Sequence, residues 1–283
     1  MVSLVPLESL DYLVIGHVTE DITPTGRRLG GTAAYAALTA RRCGLRVGIL
    51  TSVSASTSLE ALEGIPILKV PSPRSTIFEH LRTENGRGQI LRSQAAPIAV
   101  ESLPEAWRRV SIVHLAPVAQ ELPADCAQYV STSLLGLTPQ GWMRSWDTAG
   151  NVTACDWDSA SSLLPVAGAV VFSREDVGGN DQAIEAMSHQ TRILVVTEGA
   201  AGCLLYWNGD RRRFRAPVVQ VVDDIGAGDV FAAAFFIRLH TTRDPWEAAR
   251  FATLLAARSV TRPGLDGIPT VEEIEAGGVE VLE

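Results

Sequence analysis

Asp223-Asp224-Ile225-Gly226-Ala227-Gly228-Asp229 sets three carboxylates around a Gly-Ala-Gly step, directly before an apolar run at 230–237. Glycines that open a helix expose its first backbone N–H groups, and the helix macrodipole makes that end attractive to anions. Three chemistries fit these residues. The acids and glycines could simply cap a helix and turn the chain into it. A dinucleotide fingerprint would need glycine at 231, where the chain has Phe231. The third reading is an anion hole with a base. In it, the amides of Gly226, Ala227 and Gly228 stabilise charge on a transferring phosphoryl group while Asp229 accepts a proton from the acceptor hydroxyl.

Basic residues narrow the phosphate chemistry. Of the 24 Lys and Arg residues only Lys69 is lysine, in "PILKVP" with no glycine-rich loop before it. This excludes a Walker A loop and argues against a eukaryotic-type protein kinase, which needs a V-A-I-K lysine and H-R-D. Phosphate binding must use backbone dipoles, arginine or a metal. The four cysteines and five histidines are scattered with no zinc-ligand spacing.

These groups need a scaffold that brings loop residues to one edge. Short β-rich runs at 11–16, 46–53, 110–115, 133–137, 168–173 and 192–197 alternate with helical stretches at 32–44, 122–132 and 181–190. That alternation predicts an α/β fold with a mostly parallel sheet covered on both faces, binding ligands beyond the carboxyl ends of its strands. Two stretches break it. Residues 75–95 read as a hairpin around Glu84-Asn85-Gly86, and 203–217 as a second hairpin around Asn208-Gly209. "VVQVV" (218–222) reads as a strand feeding the Gly-Ala-Gly turn, followed by helices at about 227–240 and 245–260.

"VDDIGAGDVFAAAF" resembles the signature of the ribokinase-like (PfkB) carbohydrate kinases. So do "LGGTAAYAALTARRCGLRVGILTSV" (29–53), "VTEGAAG" (196–202), "RFATLLAARSVTRPG" (250–264) and "IPTVEEI" (268–274), all in family order. The resemblance implies a single three-layer kinase domain over 1–283, with a small β lid from about 17–29 and 66–96. It implies Asp229 as base, ATP with Mg²⁺ as donor, and Thr197, Gly199, Gly202, Asp224 and Thr253 on the nucleotide side. Asp21, Gly30, Gly31 and Tyr35 would face the acceptor. Ser173 and Asp176 stand where the family has its Asn-x-x-Glu, and would serve Mg²⁺ indirectly. Gln140 and Arg144 are similar to a Q-x-x-x-R stretch of inositol-kinase-like members, which points to a cyclic polyol such as myo-inositol. A nucleoside or another sugar is the alternative acceptor, and a catalytically weak nucleotide or sugar sensor the alternative role.

The net charge of −8 argues against nucleic acid as a partner. "RRRFR" (211–215), the one basic cluster, reads as a solvated strand. No apolar run reaches the length of a membrane span and no signal peptide is read, so a cytoplasmic protein is expected. The lid could pair with a second copy in a homodimer.

Overall fold

The computed structural model describes residues 9–23, 26–83 and 86–278. β1 (Tyr12–Ile15) opens the main sheet, and a hairpin of β2 (Thr19–Thr23) and β3 (Gly26–Gly30) leaves it and leads into α1 (Thr32–Arg42). β4 (Val47–Ser54) and β5 (Ile67–Ser72) return to the sheet before a second projecting hairpin, β6 (Thr76–Thr83) and β7 (Gly86–Ser93). Next come α2 (Glu105–Arg108), β8 (Arg109–Leu115), β9 (Ser131–Leu137), the short pair β10 (Arg144–Trp146) and β11 (Val152–Ala154), and α3 (Ala160–Leu163). β12 (Ala169–Ser173), α4 (Asp181–Gln190), β13 (Ile193–Thr197), β14 (Cys203–Trp207) and β15 (Asp210–Phe214) complete the sheets. The chain closes with α5 (Ala227–Thr242), α6 (Pro245–Ser259) and α7 (Val271–Gly277).

The main sheet has nine strands in the order β15-β14-β13-β12-β9-β8-β1-β4-β5. It is parallel from β5 to β13 and antiparallel across β13, β14 and β15. Successive strand residues point to opposite faces. Tyr12 and Val14 therefore pack with α1, α5 and α6, while Leu13 and Ile15 pack on the other face with Trp107, Leu163 and Ile184. Full burial on both sides explains why these strands read as continuous apolar runs. Each such Leu or Ile contributes about 1.5–3 kcal/mol.

The lid is a four-stranded sheet, β3-β2-β6-β7. Both hairpins and the six expected sheet strands form, although Glu84 and Asn85 lie outside the described residues. Asn208 and Gly209 take the left-handed conformations that a tight hairpin turn demands (φ 51° and 76°).

Three expectations are corrected. β5 pairs with β4 in the main sheet, so residues 67–72 belong there and not to the lid. The stretch 122–132 forms only a 3₁₀ turn, Cys126–Tyr129, before Val130 turns extended into β9; Pro123 and the β-branched Val130 and Thr132 disfavour continued helix. "VVQVV" forms no strand, and Val218 and Val221 are exposed. Here the backbone amides of Val222 and Asp223 bond Val260 O instead of a neighbouring strand.

Candidate active site

Asp229 lies in the first turn of α5, beyond the carboxyl ends of the central strands. The helix starts at Gly226 (φ 83°), and no side chain caps it. That removes the plain N-cap reading of the acids. A Cβ on Gly226 would collide with the Tyr35 ring, whereas the space above Gly228 is open. The turn thus leaves open space beside Gly228, at the helix end whose unpaired amides and dipole favour an anion. Thr32 Oγ1, from the start of α1, donates to Asp229 Oδ1 at 2.7 Å. Burial raises the Asp229 carboxyl to about 6; the Thr32 hydrogen bond and Arg144 oppose the shift, and Asp21 and Asp176 add to it. A carboxylate poised near 6 is ionised at neutral pH yet basic enough to take a proton.

The lid supplies the opposite wall. Asp21 on β2 is buried, and its carboxylate lies against Gly30, where a Cβ would collide with it. Asp21 stands opposite Arg28 across the β2–β3 ladder and opposite Phe78 across β2–β6. Cross-strand partners share a face, so all three look into the cleft. His80, two residues on from Phe78, brings Nε2 to 3.4 Å from Asp21 Oδ1.

Gln140 and Arg144 form the third wall. Gln140 donates to Asp176 Oδ1 at 3.2 Å, and the backbone N–H of Ser173 donates to Asp176 Oδ2 at 2.8 Å. Burial raises the Asp176 carboxyl above its usual range against the pull of Arg144, Ser173 and Gln140. Arg144 donates to Val118 O at 3.3 Å and lies 5.5 Å from the centre of the Phe78 ring. Its guanidinium feels Asp176, Asp229, Glu121 and Asp21. Asp21, Tyr35, Gln140, Arg144, Asp176 and Asp229 are therefore gathered at one place.

Several contributors carried no motif. Thr32 and His80 are two. Glu121 is another: buried, it accepts the backbone N–H groups of His17, Val118 and Ala119 and so fixes the loop whose carbonyl holds Arg144. Arg28 is the fourth. It reaches Asp223 Oδ2 at 2.5 Å, while Asp223 also accepts the N–H groups of Ile225 and Gly264. Burial opposes ionisation of Asp223, but these donors outweigh it and hold the carboxyl below its usual range.

The β10–β11 hairpin ties the lid to the body. Leu91 N–H of β7 donates to Gly150 O at 2.8 Å, and Ile90 bridges Asn151. Phe78, Leu91, Val118, Ala119, Trp146 and Val152 form a small core between them. Trp142 is packing as well: it stacks on Trp157 and donates to Leu122 O.

The nucleotide-side residues are spread along a more open edge. Gly199 faces open space, while Gly202 (φ 91°) packs on Phe214 O, where a Cβ would collide. Thr197 Oγ1 donates to Phe172 O at 3.4 Å. Asp224 precedes α5, and its carbonyl accepts from Ala227 N–H at 3.4 Å. Thr253 is buried in α6, and its hydroxyl donates to Ala249 O beside Cys203. Arg211 to Arg213 lie on the exposed edge strand β15, where Arg213 pairs with Glu198, Arg212 pairs with Asp210, and Arg212 also covers Trp246. A hollow of about 720 Å³ opens between Ser131 and Pro165, at the amino ends of β9 and β12.

Ser173 and Asp176, expected to serve Mg²⁺ indirectly, meet each other at the end of β12. The Ser173 hydroxyl accepts Glu175 N–H in a capping box with Asp176. Among the described residues no cluster of three or more His, Cys, Asp or Glu side chains could hold a metal ion. The oxygen set still fits a hydrated Mg²⁺ reached through water, since each Asp176 oxygen keeps a lone pair beyond its one bond.

Residues 166–271, which include the Gly-Ala-Gly turn, match the pfkB family carbohydrate kinase profile. The chain is 27% identical over 290 residues to the cytidine kinase of Thermococcus kodakarensis, covering 93% of this chain and 100% of that one. It is 23% identical over 308 residues to a 5-dehydro-2-deoxygluconokinase of Listeria monocytogenes, covering 96% of this chain and 92% of that one. Its fold matches a pyrophosphate-dependent myo-inositol-1 kinase converted into a myo-inositol-3 kinase (TM-score 0.76, 22% identity, 94% of this chain and 98% of that one). It also matches Thermotoga maritima ribokinase (TM-score 0.73, 21% identity, 95% and 99%). The chain thus has the ribokinase-like α/β architecture, and among the described residues no helix is long and apolar enough to cross a membrane.

Proposed function

We propose that this protein transfers the γ-phosphoryl group of ATP to a hydroxyl of a small neutral polyol or sugar, with a myo-inositol-like ring as the favoured acceptor. The observation that carries this reading is the Asp229 carboxyl, raised to about 6 beside the uncapped start of α5 and flanked by Asp21 and Arg144. Asp21, Gln140, Arg144 and His80 bind and orient the ring hydroxyls. Carboxylates accept, and the amide and guanidinium donate, so a polyol with many hydroxyls meets both. Asp229 removes the proton of the hydroxyl that attacks. The amides of 226–229 receive the charge of the transferring group. Mg²⁺, when bound, would offset phosphate charge, with Asp176 reaching it through water. Asp21, Asp176, Asp229 and Glu121 outnumber the one Arg144 that feels all four, and that balance favours a neutral acceptor over a sugar acid.

The identity to a cytidine kinase along nearly the whole chain supports a nucleoside acceptor as the second reading. Against it, the Phe78 ring is buried and already covered by Arg144, so it offers no free face to a base.

Coupled release of ADP across polyols, sugars, sugar acids and nucleosides tests both readings, with pyrophosphate as a parallel donor. Turnover confined to polyols and lost in Asp229→Asn is the expected result. Turnover confined to cytidine selects the second reading, and binding without turnover leaves a sensor.

A further inference from the structure

We infer that Arg28, a lid residue, is a further catalytic residue that binds the phosphoryl group in flight. The inference rests on the kinase reading above and adds to it the cation that the lack of lysine leaves missing.

Its position supports this. Arg28 is the cross-strand partner of Asp21 on the acceptor wall, yet its guanidinium extends to Asp223 at the start of the Gly-Ala-Gly turn. One side chain therefore spans from the acceptor carboxylate to the anion-binding turn, the gap a transferred phosphoryl group must cross. The guanidinium is not fully used: NH1 bonds Asp223, while Nε is buried with no hydrogen-bond partner among the described residues. A second orphan lies beside it. Tyr35 is 2% exposed, its ring packs on Gly226, and its hydroxyl has no partner among the described residues. Tyr35 feels Arg28, Asp21, Asp229 and Asp223 together, so its hydroxyl sits among the acceptor, base and donor groups. Buried polar groups are normally satisfied. Two unsatisfied N–H and O–H donors at one spot match the oxygens of a phosphoryl group.

Charge gives the same answer. Asp21, Asp223 and Asp229 ring this gap, and Lys69, the one lysine, is on β5 at the far edge of the main sheet. Arg28 offsets the carboxylates at rest through Asp223. In the transfer step, the acceptor O–H proton passes to Asp229 and the acceptor oxygen bonds the γ-phosphorus. The bond from that phosphorus to the β–γ bridging oxygen breaks, and its electron pair leaves with ADP. Arg28 and the Tyr35 hydroxyl donate to the equatorial oxygens throughout.

The test compares wild type, Arg28→Gln, Arg28→Lys and Asp223→Asn. Titration calorimetry with Mg²⁺ reads the affinity for a non-hydrolysable ATP analogue against that for ADP, and turnover is measured alongside. Wild type should favour the triphosphate, and Arg28→Gln should abolish that preference. Its kcat should fall by about 100-fold or more with the acceptor KM changed less than about threefold. Arg28→Lys should recover part of the loss. If Arg28→Gln keeps both the triphosphate preference and kcat, Arg28 is not catalytic and the kinase reading stands. If Asp223→Asn loses as much kcat as Arg28→Gln and neither changes the preference, Arg28 only tethers the lid. If wild type binds neither nucleotide and turns over no acceptor, the kinase reading itself falls, and the inference with it.

Discussion

The proposed acceptor and donor ends of the site are built differently. At the acceptor end, Asp21, Gln140, Arg144, Asp176 and Asp229 come from separate elements, and most of their polar atoms already have partners from the lid, loops and helix α1. At the donor end Gly199 faces open space, Val218 and Val221 are exposed, and the charges at Glu198 are taken up by Arg174 and Arg213. Preorganised buried polar groups discriminate steeply, because a wrong ligand leaves them unpaired. An open edge that offers mainly backbone discriminates less. The acceptor end should therefore set specificity and the rate of chemistry, and the donor end should tolerate change.

The largest effect should follow Asp229→Asn. Loss of the base should lower kcat by about 10³ to 10⁴ in the coupled assay, with donor affinity nearly unchanged; a loss under tenfold would break the contrast between the ends. Next, Arg144→Ala should cut kcat/KM for the acceptor by about 100-fold while leaving the nucleotide KM within about threefold. Gly150→Ala should come third. A Cβ there would collide with Leu91 O, loosening the lid clamp. The acceptor KM should rise about tenfold, because binding then has to order the lid first.

Acidity tests the same contrast without substitution. The acceptor-dependent kcat/KM should fall with a midpoint near pH 6, where Asp229 gains its proton. Stability should move the other way. Asp229 binds its proton more tightly folded than unfolded, so its contribution is fully present below about pH 4 and is lost as pH rises through about 6. Asp229→Asn should remove that slope, and its melting temperature should exceed that of wild type by a few degrees at pH 7.5 but not at pH 4. The smallest effect belongs to the donor edge. Glu198→Gln removes ion pairs with partly exposed arginines and should change every kinetic constant by less than about threefold.

The sequence revealed the parallel core and the motif residues because both are local patterns. Buried strands read as apolar runs, and Gly226 through Asp229 are contiguous. The gathering of Gln140, Arg144 and Asp176 was legible through family resemblance. Arg28, Thr32, His80 and Glu121 were not, since their roles arise from strand register or from a loop folding back on a carboxylate. Arg28 looks like any exposed basic residue until β2 and β3 pair. "VVQVV" misled for the converse reason: its β propensity is real, but the sheet ends at β15 and leaves it no partner. The doubled acid of the motif also became clearer. Asp223 is a structural tie among the lid, the turn and Gly264, whereas Asp224 contributes a backbone carbonyl to the turn.

The antiparallel pairing of Asp21 with Arg28 has a further consequence. Side chains alternate along a strand, so a shift of one residue between β2 and β3 would turn the whole cleft-facing set of one strand toward solvent while the backbone ladder stayed intact. A point substitution here edits one contact, but a single inserted or deleted residue rewrites the face. Divergence of this lid should therefore proceed through replacements, or through length changes in steps of two, with single-residue length changes selected against.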